Sequence, residues 1–136
     1  MYTILVVGGG PAGLTVAKEC QKNGWKTALI EEHTEIGKPI NCTGIISVEG
    51  VKDAGLNIDN LIVNRVRGAR IFSPNQTELK VQRSQTVAFV VERDKLDKAL
   101  AQEAMQIGAE ILLETSLLDV RNENVFVKSK GRGEIK

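Results

Sequence analysis

The sequence predicts an α/β domain in which a parallel sheet with flanking helices is interrupted by an antiparallel excursion. Three observations carry that prediction. A short apolar run, Thr3–Val7, leads through a glycine-rich turn into an amphipathic helix. A second apolar run ends on an acid, Glu31, about 18 residues after the last glycine of that turn. Residues of alternating polarity then occupy roughly positions 62–92, before a second helix and a further apolar run.

Taken in order, Thr3–Val7 is almost wholly apolar, as a strand buried on both faces of a parallel sheet should be. Gly8-Gly9-Gly10-Pro11-Ala12-Gly13 follows. In such a turn the first glycine, Gly8, permits the tight bend and Gly10 lets a pyrophosphate approach the backbone. Gly13 lets the helix pack close to the strand. A helix is predicted from about Pro11 to Asn23, with Pro11 at a tolerated first-turn position and Gly24 as a left-handed stop. Ala12, Val16, Ala17 and Cys20 are expected to face the sheet. Lys26–Ile30 is the predicted second strand. Glu31 at its carboxyl end has the spacing at which an acid reaches the ribose hydroxyls of a bound dinucleotide, the alternative being a solvated acid at a strand end.

Next comes a polar loop, Glu32–Gly44, and a short helix around Ser47–Ala54. Val66–Phe72, Thr77–Val81 and Val87–Val91 alternate as strands, with a turn at Pro74-Asn75-Gln76. A second long helix is predicted from Asp94, as N-cap, to Ile107, with Asp97 adding charge to its first turn and Gly108 stopping it. Its apolar stripe is Leu96, Ala99, Leu100, Ala104 and Ile107. Ile111–Leu113 returns to the parallel sheet, and Leu117–Val120 with Val125–Val127 forms a hairpin turning at Asn122–Asn124. Ser129–Lys136 is expected to fray. The whole is expected to form a Rossmann-like FAD/NAD(P)-binding fold over residues 1–136.

Composition narrows the function classes. A chain of 136 residues with 42% hydrophobic and 26% charged residues is an ordinary globular domain. A formal net charge of +1 and the lack of a basic run give no footprint for nucleic acid. No apolar stretch approaches the roughly 20 residues of a bilayer span, and the first strand starts too early to leave room for a signal peptide. Two cysteines do not make a disulfide framework. The expected location is the cytoplasm or a membrane surface. One histidine, His33, reads as a solvated surface residue and not a catalytic base. Without further His or Cys residues a zinc site is not expected.

With Gly8–Gly13, Glu31, Ile36-Gly37-Lys38-Pro39-Ile40-Asn41-Cys42, Gly68-Ala69-Arg70-Ile71 and Val91-Glu92-Arg93-Asp94-Lys95-Leu96-Asp97 in view, the chain resembles the glutathione-reductase-like FAD superfamily. Within it the chain is most similar to the geranylgeranyl reductases, which saturate isoprenoid lipid chains. The resemblance implies FAD as cofactor, with Gly8, Gly10, Pro11, Ala12 and Gly13 at its pyrophosphate and Glu31 at the adenosine ribose. It implies Cys42 and Thr43 on the flavin side, Arg93 at the phosphates or ribityl chain, and Leu117 against the adenine. Lys38 adds charge near the phosphates or is a plain surface lysine. The chain departs from the family where Cys42-Thr43-Gly44-Ile45 replaces a cysteine followed closely by an acid and a glycine.

The resemblance further implies a strand ending in Gly-Asp, a substrate-binding sheet and C-terminal helices beyond Lys136. Little or no turnover is therefore expected of these 136 residues alone. An isoprenoid or other apolar small molecule is the expected substrate once the site is completed, and an incomplete sheet is expected to self-associate. A flavin monooxygenase N-terminal portion and a non-catalytic nucleotide-binding domain are the competing readings. Any chemistry belongs to the flavin, since no side-chain triad suggests itself. Cys42 is either a channel-lining thiol or an unremarkable loop cysteine, Cys20 packs in the core, and Trp25 packs at a strand edge.

Overall fold

The computed structural model describes residues 1–122 and 124–130 in full and the backbone of residues 132–135. The chain divides into two compact units. The first comprises residues 1–40 and 94–136, and the second comprises residues 41–93.

The first unit is built on a three-stranded parallel sheet in the order β1-β2-β8. β1 (Ile4–Val7) pairs with β2 (Thr27–Ile30) in the register Val6↔Leu29, and β2 pairs with β8 (Glu110–Leu112) in the register Leu29↔Ile111. Only the central strand is buried along its whole length; Thr27, Ala28, Leu29 and Ile30 are almost without exposure. β1 is an edge strand instead of a strand buried on both faces, and its Val7 is 54% exposed.

Helix α1 (Pro11–Lys22) packs on β1 and β2. Leu14 and Ala17, three residues apart on one face, enter the core, whereas Ala12 and Val16 are exposed and Cys20 is half-buried. Leu14, beside the expected Ala17, thus takes the inward position that the sequence pattern assigned to Val16. Burial of one such leucine is worth about 1.5–3 kcal/mol. Trp25 lies half-exposed beyond the helix end.

Helix α3 (Arg93–Gln106) begins one residue earlier than expected, so Asp94 is a first-turn acid and not the cap. It offsets the positive helix end there, and Lys38 Nζ lies 3.9 Å from its Oδ2. Leu96, Asp97, Leu100, Ala101 and Ala104 are buried, and Ile107 is exposed because the helix has already ended. After β8 an antiparallel meander follows: β9 (Thr115–Arg121), β10 (Asn124–Ser129) and β11 (Arg132–Ile135), in the order β11-β10-β9. Where fraying was expected, the backbone of β11 returns along β10, with Val127 opposite Ile135. Of the expected Asn122–Asn124 turn, Asn122 adopts a left-handed φ of 47°, and Glu123 lies outside the described residues, as do Gly131 and Lys136 of the tail.

The second unit holds the antiparallel excursion. β3 (Ile45–Ser47), β7 (Ala88–Val91) and β4 (Ile62–Val66) form one sheet in that order, and β5 (Gly68–Phe72) with β6 (Glu78–Gln82) forms a separate hairpin. The expected single strand Val66–Phe72 is thus divided at Arg67. Val66 still pairs with Ala88, while Gly68 pairs with Gln82 in the other sheet. β3 was not legible because three residues beside a glycine carry too little alternation. In the hairpin Ala69, Ile71, Leu79 and Val81 share one face, and on the other Arg70 and Glu78 form a two-point ion pair at 2.7 and 3.0 Å.

Helix α2 (Val48–Asp53) is held at its start by Ser47, whose Oγ accepts the Gly50 N–H at 2.9 Å. Ser47→Ala is expected to destabilise this unit by about 1 kcal/mol through loss of that cap, read as a lower midpoint in urea unfolding followed by helical circular dichroism. An unchanged midpoint would show that the cap contributes nothing. Among the described residues no helix is long and apolar enough to cross a membrane.

Candidate functional site

The candidate site lies where β1 and β2 deliver their carboxyl ends. Gly8 turns the chain out of β1 with φ at +99°, a conformation costly for a side chain, and its N–H donates to the Ile30 carbonyl at 2.9 Å. Gly10 caps α1 with extended backbone. Its side-chain position faces open space, with nothing within 4 Å of where a Cβ would stand. Gly13 is the opposite case: a Cβ there would drive into the Gly8 carbonyl and sit 3.5 Å from Val6 Cγ1. The first turn of α1 carries no acidic residue and no side-chain cap. The N-terminal amides and the positive end of the helix thus meet an accessible surface suited to an anion.

Glu31 is held against this turn. Its Oε2 accepts the Gly9 N–H at 2.6 Å, and its Oε1 accepts the His33 N–H at 3.0 Å. The His33 ring adds a third contact, with Nδ1 2.6 Å from the same Oε1. The Glu31 side chain is only 13% exposed. Burial pushes its carboxyl upward, but the Gly9 and His33 amides and the His33 ring outweigh that and hold it below its ordinary value. Glu31 is therefore a fixed, ionised carboxylate and not a freely solvated strand-end acid.

Backbone pairing extends past β2 to secure this arrangement. Glu31 N–H donates to the Leu112 carbonyl, Thr115 N–H to the Glu31 carbonyl, and Glu114 N–H to the His33 carbonyl, all at 2.9–3.0 Å. A cleft of about 330 Å³ opens beside it, lined by Val7, Gly8, Glu31, His33, Thr115 and Leu117 among others. Leu117 and Glu31 thus line the same cleft, brought together because β9 starts where β2 ends. Thr115 is buried, and its Oγ1 donates to the Leu113 carbonyl at 2.9 Å.

Gly9, His33 and Thr115 were missed by the sequence reading. Gly9 sits between the two glycines of the spacing pattern, yet it is buried and donates to Glu31. A Cβ on it would come within 2.5 Å of Ile36 Cδ1 and 3.1 Å of Glu31 Oε2. His33 is exposed, as expected of a surface histidine, and in addition contacts Glu31 through its N–H and its ring. Its position two residues past the acid was the available signal, since an acid's side chain readily accepts the backbone N–H two residues on where the chain bends.

Cys42, Thr43 and Arg93 belong to the second unit. There Gly44 brings two of them close together. It adopts φ +76°, its N–H faces Cys42 Sγ at 3.5 Å, and a Cβ on it would meet Arg93 Cγ at 3.2 Å. The Val91 N–H donates to the Gly44 carbonyl at 2.9 Å and holds the loop on the end of β7. Cys42 and Thr43 are exposed. Lys38, in the first unit, is engaged with Asp94 as described. Among the described residues no group of three or more His, Cys, Asp or Glu side chains is placed to hold a metal ion.

The open backbone at Gly10, the uncapped helix end and the fixed carboxylate fit the pyrophosphate and ribose of an adenine dinucleotide. Residues 3–136 match the family model described as FAD dependent oxidoreductase. Over 128 residues the chain is 40% identical to a digeranylgeranylglycerophospholipid reductase from Thermoplasma acidophilum, covering 90% of this chain and 32% of that protein. A reductase of the same name from Methanosarcina acetivorans is 37% identical over 132 residues, 94% of this chain and 32% of the relative. The chain therefore spans about a third of the length of the curated relatives it matches. A crystal structure of a geranylgeranyl bacteriochlorophyll reductase-like protein from Thermoplasma acidophilum superposes with a TM-score of 0.85 at 36% identity, over 96% of this chain and 36% of that one. A p-nitrophenol 4-monooxygenase from Pseudomonas putida shares the fold, with a TM-score of 0.78 at 14% identity over 99% of this chain and 38% of that one.

Proposed function

The chain belongs to the FAD dependent oxidoreductase family, and from that premise we propose that it is the FAD-binding portion of a reductase that saturates the isoprenoid chains of a lipid. The observation that carries the binding role is the Glu31 carboxylate, held by the Gly9 amide at 2.6 Å beside the open helix end. In this reading the amides of Gly10, Pro11-flanking Ala12 and Gly13 face the pyrophosphate, with proline contributing no N–H of its own. Gly8 sets the bend that presents them. Glu31 accepts from the adenosine ribose, and Leu117 lies against the adenine. Cys42, Thr43 and Arg93 serve the flavin and ribityl side.

Bound FAD supplies hydride chemistry that these side chains lack. The chain's own contribution is to neutralise the pyrophosphate with helix amides and to orient the ribose with a carboxylate. The isoprenoid substrate is supported by the two relatives named as digeranylgeranylglycerophospholipid reductases, 40% and 37% identical to this chain. The remaining two thirds of such a protein supply the surface on which that substrate rests.

Purification of the chain followed by an absorption scan and an FAD titration tests the cofactor role. Flavin absorption bands, or saturable quenching of FAD fluorescence, are expected. A folded chain with neither would overturn it. Mass spectrometry of a geranylgeranylated glycerophospholipid, incubated with the full-length protein and a flavin reductant, tests the activity. The expected product gains two hydrogens per double bond, and an unaltered lipid rejects the assignment.

A further inference from the structure

In the structure the His33 ring stands in an acceptor position that a ribose diol needs. A carboxylate offers about four acceptor positions, two on each oxygen. On Glu31 Oε1 both are taken, by the His33 N–H at 3.0 Å and by the ring at Nδ1, 2.6 Å away. On Oε2 one is taken by the Gly9 N–H at 2.6 Å. One position remains, whereas the two hydroxyls of a ribose present two donors. The two amide bonds are fixed by backbone: Gly9 lies in the turn, and His33 is tied through its carbonyl to the Glu114 N–H. The ring is the only one of the three donors that a side-chain rotation can remove, and its side chain is 46% exposed.

We propose that the His33 ring competes with one ribose hydroxyl for Glu31 and must swing away when an adenine nucleotide binds. The inference rests on Glu31 being the ribose ligand. A carboxylate only accepts, so Nδ1 is the ring nitrogen that donates to Glu31 in the ligand-free chain. His33 is thus a positioning residue with two roles. Without ligand it satisfies and immobilises the carboxylate; with ligand it yields the Oε1 position to a hydroxyl. Every diol-bearing nucleotide must displace this hydrogen bond, whereas a nucleotide with a single ribose hydroxyl can use the open Oε2 position and leave the ring in place.

The test compares wild type, His33→Ala and Glu31→Ala in the 136-residue chain by calorimetric titration, with folding checked by circular dichroism. The probes are ADP, 2′-deoxy-ADP and 3′-deoxy-ADP. His33→Ala is expected to bind ADP about 3- to 10-fold more tightly, the equivalent of one displaced hydrogen bond, and to bind both deoxy nucleotides as wild type does. A role in folding alone would shift all three ligands together. Nitrogen-15 spectra of the wild-type ring should show protonated Nδ1, released on adding ADP. Unchanged or weaker ADP binding by His33→Ala, or an equal gain for the deoxy nucleotides, overturns the proposal while leaving Glu31 as ribose ligand, provided that Glu31→Ala weakens ADP. If Glu31→Ala binds ADP as wild type does, or folded wild type binds no ADP, the ribose reading fails and this inference with it.

Discussion

Gly13→Ala is expected to destabilise the first unit by about 3 kcal/mol and to abolish nucleotide binding at any concentration where wild type is half-saturated. The added methyl would drive into the Gly8 carbonyl, with the carbonyl carbon at 3.2 Å, so the obstacle is main chain and has no rotamer to escape into. Overpacking against backbone sits at the upper end of the usual range for an inserted methyl. The strand-to-helix turn must open to admit it, and the Gly9 amide moves with the turn. Gly10→Ala provides the contrast, because nothing lies within 4 Å of its Cβ position. Weaker capping should cost that variant at most about 1 kcal/mol, yet its methyl occupies the surface offered to the pyrophosphate. Urea unfolding and FAD titration on both variants separate the two effects. Equal stability of Gly13→Ala and wild type would show that the turn is looser than its geometry requires.

Glu31→Ala is expected to weaken FAD binding by about 1–3 kcal/mol, the range for hydrogen bonds to a charged group. It should also cost a comparable amount of stability, because the buried Gly9 amide loses its acceptor. The acid dependence supplies an independent check. The folded-state carboxyl lies below its ordinary value, so its contribution is complete above that ordinary value. It is lost as the pH falls through the lowered one, in the range below about pH 4.5. Wild type should therefore lose stability in acid more steeply than Glu31→Ala. Parallel pH profiles of the two proteins would show that the carboxylate is not held by these partners.

The legible parts of this molecule are those whose physics is local. Pro11 in a first turn, Gly24 after a helix and Ser47 before one each act over a few residues, and the elements they bound were predicted to within a few positions. The Gly8–Gly13 spacing and Glu31 were legible because a strand, a turn and a helix must follow in a set order for that geometry to exist. What escaped depends on partners distant in sequence. Gly9 looks like filler until Glu31 and Ile36 are brought over it. Val7 looks buried until β1 is found at an edge. The division at Arg67 follows from which strands Val66 and Gly68 meet, and neither partner can be read from Val66–Phe72 itself. Ile107 looks apolar enough for the α3 stripe, but the helix stops at Gln106 and leaves it exposed.

The central strand β2 finds its neighbour β8 about 80 residues later, with all of residues 41–93 lying in between. At equilibrium this detour costs little, since each doubling of a closing loop adds only about 0.6 kcal/mol. Its effect falls on the rate. Parallel pairing across so long a separation raises the contact order and slows the search for the native register. The β5–β6 hairpin of the excursion closes over a short span, so that part of residues 41–93 can gain structure while β2 and β8 are still apart. Once ordered, that insert shortens the span of free chain that the parallel sheet has to close.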